Sequence, residues 1–394
     1  MLPLENIKIL DLSRLAAGNM VSHMFADFGA DVVKVEKPGK GDDLRNWKIN
    51  GISHWWAVYS RNKRSISIDL KKDEGLALLK ELVKSADVFI ENFVPGTLEK
   101  WGIGPEQLAE LNKNLIILRI SGWGQTGIFK NAPGFGSLVE GMSGFAAMTG
   151  EEKQSPLLPP LALADMVAGL TGFGAILMAI LTSKKDNTGG QVIDLSLFEP
   201  FFSILGPWAA SYKISGKVPE RIGNRSNVAA PRGIYKTKDN KYVSLSASMQ
   251  SMWEKLALTI GSSDLIKDPR FLTNSDRLNN QDDLDKPISK FIKKYSREEV
   301  LNIFSKEGIT VGPVLDISEI IEHPYIQDRE VLIDHYNQEY GNVLMHQAFP
   351  RLSKTPGKIR HSAPSLGGDT DLVLKEIGIS EKQIQMLRKN KIIN

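Results

Sequence analysis

Residues 154–183 contain a single ionisable side chain, the carboxylate of Asp165, inside the run QSPLLPPLALADMVAGLTGFGAILMAILTS. The rest of that run is uncharged and rich in Leu, Ala, Gly and Met. Burying a carboxylate in such surroundings is costly unless a partner or a function compensates. We therefore interpret Asp165 as a residue that does chemistry, with a helix N-cap or a buried ion pair as the alternative.

The sequence around Asp165 favours an ionised and reactive carboxylate. The Pro-Pro pair ends the preceding segment, so a helix can begin at Leu161 with the aspartate in its first turns. A helix N-terminus stabilises an anion, and a poorly solvated carboxylate is a competent nucleophile toward an activated acyl group. Gly169 and Gly172 leave room on the same helix face for a substrate or for another backbone.

Other kinds of catalytic site are excluded by composition or by spacing. The 394-residue chain has no cysteine, which excludes disulfides, thiol catalysis and thiolate metal sites. Its six histidines have no spacing typical of a metal site or a catalytic triad. Asp165 is therefore the strongest candidate for covalent catalysis, and we expect no metal.

Charge and hydropathy restrict the partners and the location. A net charge of +3, with basic and acidic residues intermixed, is too mild to indicate nucleic-acid binding. The N-terminal segment is interrupted by charges and lacks the apolar region of a signal peptide. The uncharged stretch 166–183 approaches membrane-spanning length, but its glycines favour a buried core helix. We expect a cytoplasmic protein that contacts neither nucleic acid nor membrane.

A literal G-x-G-x-x-G lies at 122–127, directly after the strand-like segment 115–120. A dinucleotide fingerprint needs a helix that begins at its third glycine, where backbone amides hold a pyrophosphate. Pro133 and Gly134 follow closely, and no helical periodicity intervenes. We expect a glycine-rich loop of the active site and no NAD.

Several polar segments follow predicted strands, where ligands bind in parallel α/β sheets. Small residues in the turn LDLSRLAAGNM open a helix whose free amides favour anions. The loop after the second strand carries Lys37, Lys40 and Arg45, which either hold phosphates or belong to a solvated loop. Asn92 and Phe93 could hydrogen-bond to a ligand and stack on it, although a plain strand-to-helix turn also explains them.

The elements that must position these residues alternate between strand and helix. Strand-like segments lie at 7–11, 31–36, 65–70, 87–91, 115–120 and 191–195, and helical patterns follow the first strand and occupy 74–84. This alternation predicts an α/β fold with a doubly wound parallel sheet and helices on both of its faces.

The chain is long enough for two domains with cores of their own. Its character changes at the polar, glycine-containing segment 213–227, after which 232–247 predicts a β-hairpin. Helical segments around 252–259 and 297–306 complete a smaller α+β domain. We predict a large domain at 1–212, a linker at 213–227, a small domain at 228–330, and a return segment at 331–394 that packs on the large domain.

Eight motifs follow one another along nearly the whole chain. They are ILDLSRLAAG at 9–18, FGADVVKVEKPGKGDDLR at 28–45, NKRSISIDLK at 62–71, ENFVPG at 91–96, SGWGQTG at 121–127, LADMVAGLTG at 163–172, NTGGQVIDLSLFE at 187–199 and APSLG at 363–367. Together they resemble the class III CoA-transferase family, also called the CaiB/BaiF family. The resemblance implies a Rossmann-like large domain, a small domain, and a homodimer whose chains interlock like links.

The same resemblance implies the substrates and the reaction. Acyl-CoA and a small carboxylic acid are the substrates, and the CoA contacts carry over by position to Ala16, Ala17, Lys37, Lys71, Asn92, Phe93 and Lys100. The family's catalytic aspartate falls on Asp165, which attacks the acyl-CoA thioester to give an aspartyl-acyl anhydride and CoA thiolate. The thiolate then forms an aspartyl-CoA thioester, and the acceptor carboxylate takes over the CoA.

Departures from the family's motifs distinguish among its activities. The racemases resemble the transferases but use a histidine in a Gly-His-Asp segment, paired with the aspartate, to exchange a proton. Here Gly134 is followed by Phe135 and Gly136, neither of which accepts a proton. We therefore expect CoA transfer. There are two alternatives, an acyl-CoA racemase and a non-catalytic CoA-binding protein. A non-catalytic member would be expected to have lost the aspartate, so the presence of Asp165 argues against it.

Two further departures concern specificity. The tetraglycine loop of formyl-CoA transferases is absent, which weighs against oxalate, and the arginine of ENFRPG is replaced by Val94. We place Phe135 and Gly136 in the substrate pocket. We also place Arg232 there. Arg221, Arg225 and Arg232 could bind the second carboxylate of a dicarboxylic acceptor, and the alternative is that all three are surface arginines.

Overall fold

A computed structural model of the protein describes residues 1–186 and 188–394, so Asn187, the first residue of the motif at 187–199, lies outside the described residues. Six parallel strands form one sheet: β1 (Lys8–Asp11), β2 (Asp31–Glu36), β3 (Arg64–Ser67), β4 (Val88–Glu91), β5 (Ile116–Ser121) and β6 (Val192–Ser196). Their order across the sheet is β3-β2-β1-β4-β5-β6, which is that of a doubly wound fold. The predicted α/β class and parallel sheet are confirmed.

Helices cover both faces of this sheet. The helices along this part of the chain are α1 (Leu15–Asp27), α2 (His54–Tyr59), α3 (Asp73–Val83), α4 (Thr97–Lys100), α5 (Pro105–Leu111), α6 (Gly136–Met142), α7 (Phe145–Met148), α8 (Leu163–Asp186) and α9 (Phe198–Ser203), and α7 belongs to the second unit from Ala146 onward. Successive strand residues point to opposite faces. Ile9 accordingly packs in a core cluster with α1 and α8, whereas Leu10 packs in a cluster with α3 and α5.

Helix α8 carries Asp165 in its first turn and begins at Leu163, two residues later than predicted. Among the described residues, it is the one helix long and apolar enough to cross a membrane by length and composition. A Cβ added to Gly169 would lie 2.6 Å from Cβ of Met20, and one added to Gly172 would lie 3.0 Å from Cγ2 of Val21. The space that these glycines leave is therefore taken by α1 rather than by a substrate.

A second compact unit consists of Ala146–Leu157 and Trp208–Arg329. Its further elements are α10 (Trp208–Ser215), β7 (Arg232–Lys236), β8 (Tyr242–Ser246), α11 (Gln250–Thr259), α12 (Asn274–Asn279), α13 (Gln281–Ile292), α14 (Arg297–Lys306), β9 (Val311–Val314), α15 (Ile317–Ile321) and α16 (Pro324–Asp328). The predicted hairpin corresponds to β7 and β8, which pair antiparallel, and β9 adds a third strand.

The boundaries of the units differ from the predicted ones. The first unit is Met1–Phe145, Leu158–Pro207 and Glu330–Asn394, and the predicted boundary at 212 falls inside α10. Ala146–Leu157 joins the second unit because it bonds to residues far along the chain. The N–H of Gly223 donates to the carbonyl of Gly150 at 2.9 Å, for example. Such contacts leave no local pattern in the sequence.

The C-terminal segment returns to the first unit. It contains β10 (Leu332–Asn337), β11 (Gly341–His346), α17 (Thr370–Glu376) and α18 (Glu381–Lys389). Val373, Leu374 and Ile384 are buried in the same core cluster as α3. The polar strands of the β10–β11 hairpin were not predicted from the sequence.

Buried charges at the carboxyl ends of β1 and β2 join three elements. Nζ of the fully buried Lys34 lies 3.1 Å from Oδ1 of Asp11 and 3.0 Å from Oδ2 of Asp42. Burial alone would lower the pKa of Lys34, but the two carboxylates outweigh it and hold that pKa above its usual value. Oδ1 of Asp42 also accepts the backbone N–H of Leu15 at 2.9 Å, where α1 begins. The network thus fixes α1 to the strand ends.

Replacing the buried cation tests this role. Lys34→Met keeps an unbranched side chain but deprives two buried carboxylates of their shared cation, so we expect the free energy of unfolding to fall by about 3–5 kcal/mol. Urea unfolding followed by circular dichroism measures the loss. Lys84→Met, which removes an exposed ion pair with Glu81, is the control and should cost less than about 0.5 kcal/mol. Equally small losses in both variants would contradict the role assigned to Lys34.

Candidate active site

The carboxyl ends of the parallel strands form two cavities in the first unit that share lining residues. Arg14, Asp43, Phe93 and Val94 line both of them. The strand order reverses between β1 and β4, and open α/β sheets bind ligands outside the strand ends at such a switch point. The cavities therefore lie where the topology favours a ligand site.

The cavity that contains Asp165 has a volume of about 500 Å³. Burial, with a further contribution from the like charge of Glu140, raises the pKa of Asp165 to about 6, and the backbone N–H of Asp165 itself opposes the shift. At pH 7 the ionised form still predominates by about ten to one. The cavity therefore holds a carboxylate that is ionised but poorly solvated, as a nucleophile requires.

The start of α8 stabilises this anion less than the sequence led us to expect. Glu140, on α6, is only 3% exposed, and its Oε1 accepts the backbone N–H of Ala164 at 3.1 Å. This bond occupies an amide of the first turn and adds a second negative charge beside Asp165. No cation pairs with Asp165 in the described part of the chain, so the ion-pair alternative finds no support. Sequence reasoning missed Glu140 because it lies on a separate helix.

Gly136 lies next to the Asp165 carboxylate, and Phe135 lines the cavity that contains it; their place in a substrate pocket stays a prediction. Gly136 opens α6, and a Cβ built on it would lie 2.5 Å from Oδ2 of Asp165. Only glycine at this position lets the carboxylate keep its place. Phe135 is 61% exposed and lines the same cavity.

The glycine-rich segment after β5 is a loop of the site. The next helix begins at Gly136 rather than at Gly127, so the third glycine of the G-x-G-x-x-G has no helix N-terminus. The loop closes on itself, since Gly122 packs on Gly134 and the indole N–H of Trp123 donates to the carbonyl of Pro133 at 2.9 Å. Its residues from 130 to 135 line the Asp165 cavity.

The other cavity has a volume of about 370 Å³ and suits a flat base with phosphates. Its apolar lining includes Val35, Ile68 and the rings of Phe93 and Trp101, whose centroids lie 5.2 Å apart. Its cations include the predicted Lys37 and Lys71, together with Lys40. Sequence reasoning missed Trp101, because the four-residue helix α4 that precedes it has no periodicity to reveal its direction.

Asn92 joins two turns of the site. It accepts the backbone N–H of Arg14 at 2.8 Å through Oδ1 and donates to the carbonyl of Arg14 at 2.7 Å through Nδ2. Its amide is thus bonded to the backbone after β1 while it lines the Asp165 cavity. The guanidinium of Arg14 lies 5.6 Å from the ring centroid of Phe93, at the wall shared by the two cavities.

The remaining predicted CoA contacts differ in their relation to the cavities. Ala17 lines the Asp165 cavity, whereas its neighbour Ala16 is buried in α1 and belongs to neither lining. Lys100 is exposed at the end of α4 and is also outside both linings. Lys130, which was not predicted, adds a cation to the Asp165 cavity.

The arginines of the second unit differ in their partners. Arg225 pairs with Asp282 at 2.7 Å and with Asp285 at 2.8 Å, so its charge is already neutralised. Arg232 opens β7 with an exposed side chain. Among residues 1–186 and 188–394, no group of three or more His, Asp or Glu side chains is arranged to hold a metal ion.

A family model supports the assignment that the fold and the site suggest. The model described as CoA-transferase family III matches residues 4–370. The chain therefore belongs to CoA-transferase family III, and it is an enzyme of the transferase class. Acyl-CoA and a carboxylic acid are the substrates that this family implies.

Relatives cover nearly the whole chain. It is 35% identical to a succinyl-CoA–D-citramalate CoA-transferase of Chloroflexus aurantiacus, over 99% of this chain and 98% of the relative. It is 32% identical to a human succinyl-CoA:glutarate CoA-transferase, over 95% of this chain and 86% of the relative. A CaiB/BaiF family protein from Brucella suis has a similar solved structure, with a TM-score of 0.84 at 32% identity over 95% of this chain and 99% of that chain.

The contact between Gly136 and Asp165 gives a test of the site. Gly136→Ala places a Cβ in the space of the carboxylate, so we expect CoA transfer to fall about 100-fold, the loss typical of a 1 Å displacement. Steady-state assays with an acyl-CoA and an acceptor acid measure the loss. Gly141→Ala is the matched control, because a Cβ at that position of the same helix meets no atom within 4 Å. Equal activity in the two variants would contradict the placement of the carboxylate.

Proposed function

We propose that this enzyme moves CoA from an acyl-CoA to a carboxylic acid through covalent intermediates on Asp165. The observation that carries the proposal is the ionised, poorly solvated carboxylate of Asp165 in a cavity that shares a wall with a nucleotide-sized one. The nucleotide end of CoA fits the cavity lined by Phe93, Trp101 and the lysines. The thioester end of the acyl-CoA then extends to Asp165 past Arg14, which lines both cavities.

The chemistry needs no proton transfer in any step. An oxygen of Asp165 bonds to the thioester carbon, and the C–S bond breaks with its electron pair on CoA thiolate. The thiolate attacks the aspartyl carbonyl of the anhydride and expels the donor acid, which leaves an aspartyl-CoA thioester. An oxygen of the acceptor carboxylate bonds to the carbonyl carbon of that thioester, and the C–S bond breaks to give a new anhydride and CoA thiolate. The thiolate then attacks the acceptor's carbonyl, which releases the new acyl-CoA and restores Asp165.

A racemase needs a second proton acceptor or donor opposite Asp165. In the described residues, the Asp165 cavity has no histidine in its lining, and Phe135 stands where the resemblance would place the histidine that pairs with the aspartate. We therefore favour transfer over racemisation. No exchange of the α-proton of a 2-methylacyl-CoA into deuterated water is expected, and exchange at turnover rates would reverse this preference.

We propose succinyl-CoA as the donor and a dicarboxylic acid as the acceptor. The names of the relatives pair succinyl-CoA with D-citramalate, L-malate or glutarate. In the first unit, Arg14 and Lys130 are the cations of the Asp165 cavity that suit a second carboxylate. A panel of mono- and dicarboxylic acceptors tests the proposal, and equal rates with matched monocarboxylates would contradict it.

We also propose that the enzyme acts as an interlocked homodimer. Leu170, Met178 and Leu181 on α8 are 45%, 65% and 68% exposed in the single chain, and apolar exposure of this kind marks an interaction surface. A solution mass of twice the 43.6 kDa chain supports the dimer, and a monomer mass contradicts it. The cytoplasmic location stays a prediction.

Replacement of the nucleophile is the main test of the proposed function. Asp165→Asn replaces the nucleophilic carboxylate with a neutral amide of nearly the same shape, so we expect transfer to fall by at least about 10³-fold while CoA still binds. In the wild type, an acyl-CoA with hydroxylamine should yield a hydroxamate on the peptide that contains Asp165, mapped by mass spectrometry. Near-normal turnover in the variant, or a hydroxamate at another residue, would contradict the mechanism.

The raised pKa of Asp165 gives a pH dependence with a defined sign. The ionised form attacks, so protonation inactivates the enzyme as pH falls through about 6, rather than near the ordinary aspartate pKa of 3.8. The value of kcat/KM for acyl-CoA should therefore fall about tenfold per pH unit below that point. A profile that stays flat from pH 7 down to pH 5 would show that Asp165 does not titrate in this range.

A further inference from the structure

Glu140 is a buried carboxylate that the proposed transfer steps do not use. It lies on α6, which packs against α8, and only 3% of its surface is exposed. In the described part of the chain no Lys, Arg or His side chain pairs with it, although its Oε1 accepts the N–H of Ala164 at 3.1 Å. A buried carboxylate without a cation is costly, so its position beside the nucleophile calls for an explanation.

Glu140 and Asp165 form a pair of like charges in one poorly solvated region. Ala164, to which Glu140 bonds, directly precedes Asp165. Burial raises the pKa of Asp165 most, and among the described residues Glu140 is the charged side chain that raises it further. Such repulsion makes the ionised Asp165 less stable than it would be alone. Burial strengthens this repulsion, because little water screens the pair.

The other charged groups near the start of α8 have partners of their own or line the open cavity. Arg14, Asp43 and Lys130 line the cavity. Burial lowers the pKa of His23, on α1, well below its usual value, so this side chain is neutral. The charged groups on the elements packed against α8 have these partners: Asp27 with Arg61, Arg119 with Glu91 and Glu99, Asp194 with the N–H of Gln125, and Glu199 with Ser196. Glu140 differs from these groups, because it is buried, does not line the cavity and bonds to the first turn of α8 itself.

We propose that Glu140 is a positioning residue that raises the reactivity of Asp165. Its carboxylate fixes the first turn of α8 through Ala164, and its charge destabilises the resting Asp165 anion relative to the acylated residue. This inference rests on the proposed function, in which Asp165 is the nucleophile. It adds the group that makes this carboxylate reactive enough to attack a thioester.

The repulsion is relieved by the first covalent step. When the Asp165 oxygen bonds to the thioester carbon, the negative charge leaves with the CoA sulfur as the C–S bond breaks. Glu140 keeps its charge and exchanges no proton. The acylated Asp165 is neutral, so the step separates two like charges and its barrier falls relative to an enzyme without Glu140.

Glu140→Gln is the informative variant, because its amide oxygen can still accept the N–H of Ala164 while the charge is gone. We expect the acid limb of kcat/KM for acyl-CoA to move down by about one pH unit. We also expect single-turnover labelling of Asp165 by acyl-CoA with hydroxylamine to slow about tenfold at pH 8. An unchanged acid limb with an unchanged labelling rate would overturn the inference.

Two further variants separate charge from structure. Glu140→Asp keeps the charge and shortens the side chain, so its acid limb should stay near that of the wild type even if its rate falls. A shift as large as that of Glu140→Gln would overturn the inference, as would a Glu140→Gln variant that slows without any shift. Glu110→Gln, an exposed position on α5, is the control for total charge and should match the wild type.

The labelling experiment also separates this inference from the proposed function. If the wild type gives no hydroxamate on Asp165, the proposed covalent route fails whatever Glu140 does. If wild type and Glu140→Gln label Asp165 at equal rates with the same pH dependence, the covalent route stands and only the role of Glu140 fails.

Discussion

The pairing of buried Lys34 with Asp11 and Asp42 is the interaction on which the candidate site most depends. Asp42 also accepts the backbone N–H groups of Leu15, at the start of α1, and of Leu44, in the loop beside the nucleotide-sized cavity. Helix α1 then packs along α8, whose first turn carries Asp165. One buried set of charges thereby orders the loop beside one cavity and the helix behind the nucleophile of the other.

Such a network is costly in free energy and is explained better by position than by stability. Buried ion pairs seldom contribute much net stability, because removing the charges from water offsets their attraction. The neighbouring Lys63 illustrates this cost, because burial lowers its pKa to about 7. This happens although Nζ of Lys63 lies 3.8 Å from Oδ2 of Asp11 and donates a hydrogen bond to Oδ1 of Asn19 at 2.8 Å. What the chain gains is a fixed geometry at the strand ends, which a site built from several loops requires.

Periodicity and local motifs predicted the α/β class, the six strands and the place of Asp165 in the first turn of a helix, because each depends on residues close in sequence. Contacts between distant elements could not be predicted in this way. Glu140 reaches Asp165 from another helix, Trp101 reaches Phe93 across a short helix, and α1 takes the space beside Gly169. Ala16 and Lys100, carried over by position from the family, lie outside the linings of both cavities in the described residues, since a position in the sequence does not specify which way a side chain points.

The central claim is that the oxygen atoms of Asp165 take part in the transfer, and isotope tracing tests it most directly. Enzyme turned over with an acceptor acid labelled with oxygen-18 in its carboxylate should acquire that label in the side chain of Asp165, because breakdown of the second anhydride leaves one acceptor oxygen there. Mass spectrometry of the peptide that contains Asp165 should then show a shift of about 2 Da after one turnover and of up to about 4 Da as further turnovers exchange the second oxygen. Formation of the new acyl-CoA over many turnovers without any label in that peptide would contradict the account.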